Sequence, residues 1–461
     1  LLDVLIIGAG LSGAIAATVL ARQGRQVAMV DRYAECPPSF RAEQLVGPQV
    51  EAMARLGVLD GIVAGVTPET HAIGARGGRI VGGINAVHYG LPYQTMVDRA
   101  RAQAPAGVIF IVGRVMTIQT GPTSQFVTLG SGQTIEARLV IVATGQERAL
   151  AQQIGIGRRM IRAAHSLTIG FDITPKGGAR FLVPMMTCYP TDPRFRTDYL
   201  AIFPIGDTTR ANLFTYCDVR HPWIRSFRDS PEAALLEAFP DLDRLLGPFS
   251  VANPVQLRVN DLWMATGWLR DGMVLIGDAF QTSCPATGTG VSRLLMDNEQ
   301  LCLHYVPRWL SGQGVTADQI SAFYQDPVKR ACDEAAAEAA EYQRLAATET
   351  GVRWRVHRFQ VGLRQQIGGL LGGPSRLSLG YTFARLPSRS APRAKPRGGI
   401  PHVRLRPAIA EAQEPVAAGP VEIDTGGRRD PDLRQHAGAE GHAVIRPVDD
   451  VGEQIESPLG R

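Results

Sequence analysis

Three glycines and an aspartate near the start of this chain have the types and spacing to hold a phosphorylated ligand. Gly8, Gly10 and Gly13, with Leu11 and Ser12 between the last two, follow an apolar run at residues 4–7 and precede an Ala-rich run at 14–21. At this spacing Gly8 makes a tight turn, Gly10 lets the backbone approach a pyrophosphate, and Gly13 lets the next helix pack on the strand. That helix aims its free N–H groups and positive dipole end at phosphate. A glycine turn alone is a weak signal, strengthened by an acidic residue about 20 positions on. Asp31 supplies it at the end of the apolar run 27–30, with Arg32 next, and its carboxylate can take both hydroxyls of a ribose. The segment reads as a dinucleotide site; the bland alternative is a structural turn with a surface aspartate.

NAD and FAD enzymes share such an opening, so the choice rests on a second segment. Residues 273–276 read as a short buried strand running into Gly277 and Asp278, then Cys284, Pro285, Gly288, Thr289 and Gly290, then a helical pattern over 291–303. Asp278 at a strand end can bind a sugar hydroxyl. The Pro/Gly turn and the new helix N-terminus present donors to developing negative charge.

In this order the motifs resemble the flavoprotein monooxygenases typified by para-hydroxybenzoate hydroxylase, over roughly residues 3–310. The resemblance implies non-covalent FAD, with pyrophosphate at the first glycine cluster and adenosine ribose at Asp31. It implies the ribityl chain or pyrophosphate at Asp278, and the isoalloxazine along Pro285, Gly288, Thr289 and Gly290. It makes Arg41, in the segment 40–45, an arginine that reaches FAD, Gln94 a second polar contact, and Val115 part of the strand whose backbone touches adenine. Taken singly, Arg41 reads as a solvated loop charge, Gln94 as a helix-surface amide and Cys284 as a small buried residue. One departure stands out. The family's Asp-Gly pair after the strand at 139–142 is here Thr144 and Gly145, followed by Gln146, Glu147 and Arg148. Glycine keeps the turn, but the carboxylate associated with nicotinamide binding is missing.

These residues need a scaffold, and 461 residues are enough for two domains sharing a large core. The expected fold is α/β: a Rossmann-like FAD-binding domain with an inserted antiparallel β-sheet substrate domain and C-terminal helices. The expected parts are 1–165, with crossover segments near 66–100, for the first portion of the FAD domain and 166–265 for the sheet. The second FAD portion is expected at 266–312, a helical region at 313–385, and a disordered tail at 386–461, which is rich in Pro, Arg and Gly. Four strand-like segments, 166–174, 180–188, 199–205 and 210–217, argue for an antiparallel sheet, which the resemblance makes the substrate platform. Its candidate substrate residues are Met186 (or Met185), Phe203 and Phe214, with Tyr189 nearby; ordinary sheet core is the commoner fate of such side chains. Arg180 and Arg210 are possible carboxylate clamps, although strand-end arginines usually face solvent. No catalytic acid or base and no metal-ligand spacing is legible.

A net charge of +5 is mild for this length and does not argue for nucleic acid. Arg353, Arg355, Arg358 and Arg364 do bunch with Trp354 after an Ala/Glu-rich stretch at 334–346. Such a segment can lie on an acidic membrane surface, but a solvated face or a partner-helix contact is the commoner reading. No run approaches the roughly 20 apolar residues of a membrane helix. The six cysteines, at 36, 188, 217, 284, 302 and 332, are scattered, which suits a reducing compartment, so a cytoplasmic location is expected. The chain opens at Leu1 rather than methionine, so an upstream extension is expected.

The resemblance implies an FAD-dependent monooxygenase that uses NAD(P)H and O2 on a hydrophobic small molecule of aromatic, polyketide or isoprenoid-like character. The alternatives are a flavin-dependent reductase of isoprenoid double bonds and a flavin-binding subunit without turnover. A flavin halogenase and an NAD-dependent dehydrogenase fit the motifs less well. The oligomeric state is not legible.

Overall fold

Continuous apolar runs can be buried on both faces only in a parallel sheet covered on each side, and Val4, Leu5 and Ile6 are fully buried. The computed structural model describes residues 1–370 except Ala42 and Ala179, together with 442–444. The strand Leu2–Ile7 pairs in parallel with Val27–Asp31 on one side and Thr134–Val142 on the other. Ile109–Val112 extends this cofactor sheet at one edge, while Met273–Leu275 and the hairpin Val115–Gln119/Gln125–Leu129 extend it beyond Thr134–Val142. The helix Leu11–Arg22 packs on it through a nearly continuous buried run.

The second, platform sheet is larger than expected. Its order is Phe249–Thr266, Gly157–Pro175, Thr208–Thr215, Thr197–Ile205, Met186–Tyr189, Glu69–Arg76, Arg79–Gly90, Gln44–Val46. It recruits the crossover segment near 66–100, and the pair Met186–Tyr189/Glu69–Arg76 is parallel while the other pairs named are antiparallel. The strand expected over 180–188 starts only at Met186, after Pro184, which has no donor for a ladder. The strand expected from 166 starts at Gly157.

Strand alternation splits this sheet into two unlike faces. Leu167, Ile169, Phe171, Leu200, Ile202 and Leu213 point to one side and pack on Trp223, Phe227 and Leu235 from short helices. Met185, Ala201, Phe203 and Ile205, with Tyr199 and Phe214, occupy the other.

The helices Thr289–Gln300, Ala317–Tyr324, Pro327–Thr348 and Val352–Leu370 follow. A buried charge cluster joins the first and third: Lys329 lies 2.6 Å from Asp297 and 3.2 Å from Asp333, and Arg293 lies 2.7 Å from Asp333. No helix among the described residues is long and apolar enough to cross a membrane. The tail expected over 386–461 lies outside the described residues, apart from the strand His442–Val444, which pairs with Gln256–Arg258.

Candidate active site

The strand Leu2–Ile7 ends at Gly8, whose φ of +95° and closeness to the Ala143 carbonyl (2.6 Å from where a Cβ would sit) admit only glycine. A Cβ on Gly13 would run into the Gly8 carbonyl. At Gly10 the space a Cβ would fill is open, with the Tyr93 hydroxyl nearest at 3.8 Å. No side chain caps the helix Leu11–Arg22 at Gly10, so its N-terminus presents donors to an anion. Tyr93 leans over the turn, its hydroxyl accepting the Leu11 N–H, and burial pushes that phenol up. Ser12 accepts a hydrogen bond from Asn298 at 3.0 Å, which ties this turn to the helix Thr289–Gln300.

Asp31 is held by the turn it serves. One carboxylate oxygen accepts the Ala9 N–H at 2.7 Å, and the other accepts the Tyr33 N–H at 3.0 Å. Arg101 lies 3.4 Å from the first oxygen and donates to the carbonyls of Ala9, Tyr33 and Ala34. The sequence reading missed Arg101, which is marked only by its place in the last turn of Tyr93–Ala102. A cleft opens here, lined by Gly8, Asp31, Arg32, Val115, Thr144 and Glu147 among others. Four of the expected contacts thus share one cleft.

Asp278 sits in the turn Gly277–Ala279 and accepts a hydrogen bond from Gln146 at 3.0 Å. The Gln146 side-chain oxygen accepts from Arg258 at 2.8 Å. Arg158 donates to the carbonyls of Gln146 and Glu147, stacks 3.7 Å over Trp263, and is lowered to about 10 by burial. The departure at Thr144 therefore lies in a turn pinned to Asp278 by the next side chain but one. Gly145 has φ +63°, and its missing Cβ leaves Arg41 Nη1 at 3.8 Å. Arg41 in turn lies 5.7 Å from the Tyr93 ring centre, so it points into this interior rather than out from a loop. Gln94 is half-buried beside Tyr93 and makes no side-chain hydrogen bond among the described residues.

The turn Pro285–Thr287 leads through Gly288, at φ +66°, into the helix Thr289–Gln300. Gln49 donates to the Gly288 carbonyl at 2.9 Å, Thr289 meets the Thr287 hydroxyl at 2.6 Å, and the space at Gly290 is open to 4.0 Å. Tyr199 donates to the Ala286 carbonyl at 2.8 Å and so joins the platform sheet to this turn. Cys284 is buried beneath it, and burial pushes its thiol up to about 11, which leaves it protonated and inert. Gly277 lies beside Ser12 of the glycine turn, Gln146 ties Asp278 to the turn at Thr144 and Gly145, and Arg41 lies beside Gly145. At Gly10 and Gly290 the missing Cβ atoms leave open space, and the N–H donors and carboxylates around them are of the kinds that pair with phosphates and sugar hydroxyls.

The site face of the platform brings together Phe203, Phe214 and Tyr199, the last two with ring centres 4.8 Å apart. Met186 is not with them. It is 1% exposed in the core on the opposite face, while Met185 holds the site face and accepts a hydrogen bond from Gln44, because one step along a strand reverses the face. Arg210 is already engaged, 2.8 Å from Asp172 and 3.0 Å from Glu43, with Asn212 also donating to Glu43. A guanidinium shared by two carboxylates does not serve as a free clamp. Arg180 is exposed. Burial pushes Glu43 up to about 7, Arg210 and Asn212 work against that, and Asp172 adds to it.

A family described as FAD binding domain matches residues 1–305. Kynurenine 3-monooxygenase of Salinispora arenicola is 27% identical over 348 residues, covering 64% of this chain and 70% of that protein. The crystal structure of p-nitrophenol 4-monooxygenase PnpA from Pseudomonas putida superposes with a TM-score of 0.62 at 17% identity, covering 80% of this chain and 94% of the other. A ternary complex of aklavinone-11 hydroxylase with FAD and aklavinone gives 0.58 at 20% identity, covering 76% and 72%.

Proposed function

The chain belongs to the FAD binding domain family and is an FAD-dependent oxidoreductase of the monooxygenase type; from that premise we propose that it hydroxylates a hydrophobic small molecule of aromatic, polyketide or isoprenoid-like character, using NAD(P)H and O2. The observation that carries this reading is the aromatic site face. Phe203 is buried, and Phe214 and Tyr199 are half-buried, on a sheet face that Tyr199 fastens to the Pro285–Thr287 turn, so a ring system admitted beside Phe214 and Tyr199 would lie next to that turn. The similar proteins are named for kynurenine, p-nitrophenol and aklavinone, all ring compounds, which supports the same class here.

Bound FAD supplies the electron transfer and the dioxygen chemistry. The chain's own residues bind and orient. The uncapped helix at Gly10 would take the pyrophosphate, Asp31 the adenosine ribose, and Asp278 the ribityl chain or the pyrophosphate. The first turn of Thr289–Gln300, which has no side-chain cap, would offer N–H donors to negative charge on the flavin ring. The platform's apolar face excludes water. The six cysteines stand as free, buried thiols, which supports a reducing, cytoplasmic setting.

The test is turnover under isotopically labelled dioxygen with a panel of hydrophobic phenols, quinone precursors and polyketides. The expected product carries one oxygen atom from O2, and omission of oxygen stops its formation. Product formed anaerobically at an unchanged rate overturns monooxygenation and promotes double-bond reduction.

A further inference from the structure

The helix Val352–Leu370 presents two faces, and only one is accounted for by the fold. Its inner face is docked: a His357 ring nitrogen meets the Tyr342 hydroxyl at 2.7 Å, Arg76 donates to Gln365 at 2.9 Å, and Arg358 donates to the Ala346 carbonyl at 2.9 Å. On the outer face Val352, Val356, Phe359 and Leu363 are 65%, 48%, 70% and 44% exposed. Their spacing of four, three and four residues puts them on one stripe. A helix docked on one side ordinarily turns polar residues to water; this one turns a continuous apolar row outward.

Arginines border the row on both sides. At about 100° per residue, Arg353 and Arg364 fall along one edge and Arg355 along the other, and all three are exposed. None of them enters an ion pair among the described residues. The helix contains no Asp or Glu at all.

We propose that this outer face is an interfacial anchor that lies flat on an anionic phospholipid bilayer, with the apolar row in the headgroup–acyl boundary and the arginines among the phosphates. The arrangement of apolar centre and basic edges is the one a bilayer interface selects. A second copy of the helix is a poorer occupant, because pairing the stripe with itself sets arginine rows against each other. The length of about 28 Å at 1.5 Å per residue gives one side of the enzyme a long line of contact.

Co-sedimentation of the full-length, FAD-loaded protein with vesicles tests this. Mixed phosphatidylcholine–phosphatidylglycerol vesicles should pull the protein down at low salt, and pure phosphatidylcholine vesicles should do so weakly. F359D should lower the partition coefficient about tenfold or more by placing a charge in the apolar boundary. R355E and R364E should each lower it about fivefold or more. FAD content and far-ultraviolet circular dichroism should match the parent in every variant, since the changed side chains are exposed. Absence of binding to the anionic vesicles overturns the proposal. So does binding that F359D leaves intact, which would mean diffuse adsorption by charge alone. Failure to bind vesicles, with a dimer in size-exclusion chromatography that F359D dissolves, would instead assign the stripe to a second copy of the chain.

Discussion

Replacing Lys329 with methionine keeps most of the length and apolar stem of the side chain and deletes one buried charge. The ammonium is 1% exposed, 2.6 Å from Asp297 and 3.2 Å from Asp333, with the Phe280, Phe323 and Tyr324 rings around it. Arg293 completes a balanced set of two cations and two carboxylates. Burial alone would raise Asp333, yet Arg293 and Lys329 together hold it below the usual carboxylate range. Without Lys329 one negative charge is left uncompensated where water does not reach, a loss of about 3–5 kcal/mol. The damage also reaches the cofactor site, because the other Asp297 oxygen accepts the Gly277 N–H at 2.8 Å, one residue before Asp278. Urea unfolding of the FAD-loaded protein should therefore show Lys329→Met less stable by about 3 kcal/mol or more. Adding Asp297→Asn should restore about half of that, since an asparagine keeps an acceptor for Gly277 and removes the stranded charge. A single variant within about 1 kcal/mol of the parent, or two losses that simply add, would refute the view of this cluster as a coupled, charge-balanced tether.

Three further outcomes are expected. Asp31→Ala and Asp278→Ala should each weaken FAD binding by roughly 10- to 150-fold, the loss of a charge-assisted acceptor, as read by flavin fluorescence titration. Glu43 has a folded value of about 7 against an ordinary 4.5, so the folded protein keeps a proton that the unfolded chain releases. That contribution is complete below pH 4.5 and is lost as pH rises through about 7. Glu43→Gln should accordingly flatten a decline on the order of 3 kcal/mol across that window in pH-resolved denaturation. Phe214→Ala should raise KM for an apolar substrate by about tenfold and lower FAD content less than Asp278→Ala does, because it truncates the platform and touches the Pro285–Thr287 turn only through packing on Cys284, Ala286 and Tyr199.

The glycine turn and Asp31 are legible in the sequence because backbone conformation restricts the residue type: a φ of +95° against a carbonyl leaves Gly8 no substitute. Asp278 and the Pro285–Gly290 turn are legible for a related reason, as punctuation between a buried strand and a helix. Arg41 carries no such constraint. Alone it reads as a loop charge, and only its order among the other motifs brings it inside. Met186 marks the limit of pattern reading, because two adjacent methionines satisfy the same hydrophobic pattern and the face is decided by register with Ile202 across the sheet. Arg101 and Gln146 are invisible for another reason. Their partners, Asp31 and Asp278, lie far along the chain, and a lone arginine or glutamine has no local signature of such a contact. The true extent of the platform sheet is hidden in the same way, since the strand Glu69–Arg76 joins it by pairing with Met186–Tyr189.

The short strand Met273–Leu275 slots beside Val140–Val142, and this sets an order on the chain's birth. As the protein leaves the ribosome, the Gly8 turn and Asp31 emerge early, while the wall that faces them, Gly277 onward, is the product of much later synthesis. In the interval the platform strands from Gln44 through Thr266 are all synthesised while that flank of Thr134–Val142 still has no partner. FAD holds the finished enzyme by mass action, but it can offer nothing to a nascent chain that lacks the second half of its cradle. Any message cut short between those two points yields a polypeptide with an exposed apolar strand edge and no ligand to rescue it, a substrate for chaperones and proteases rather than a weaker enzyme.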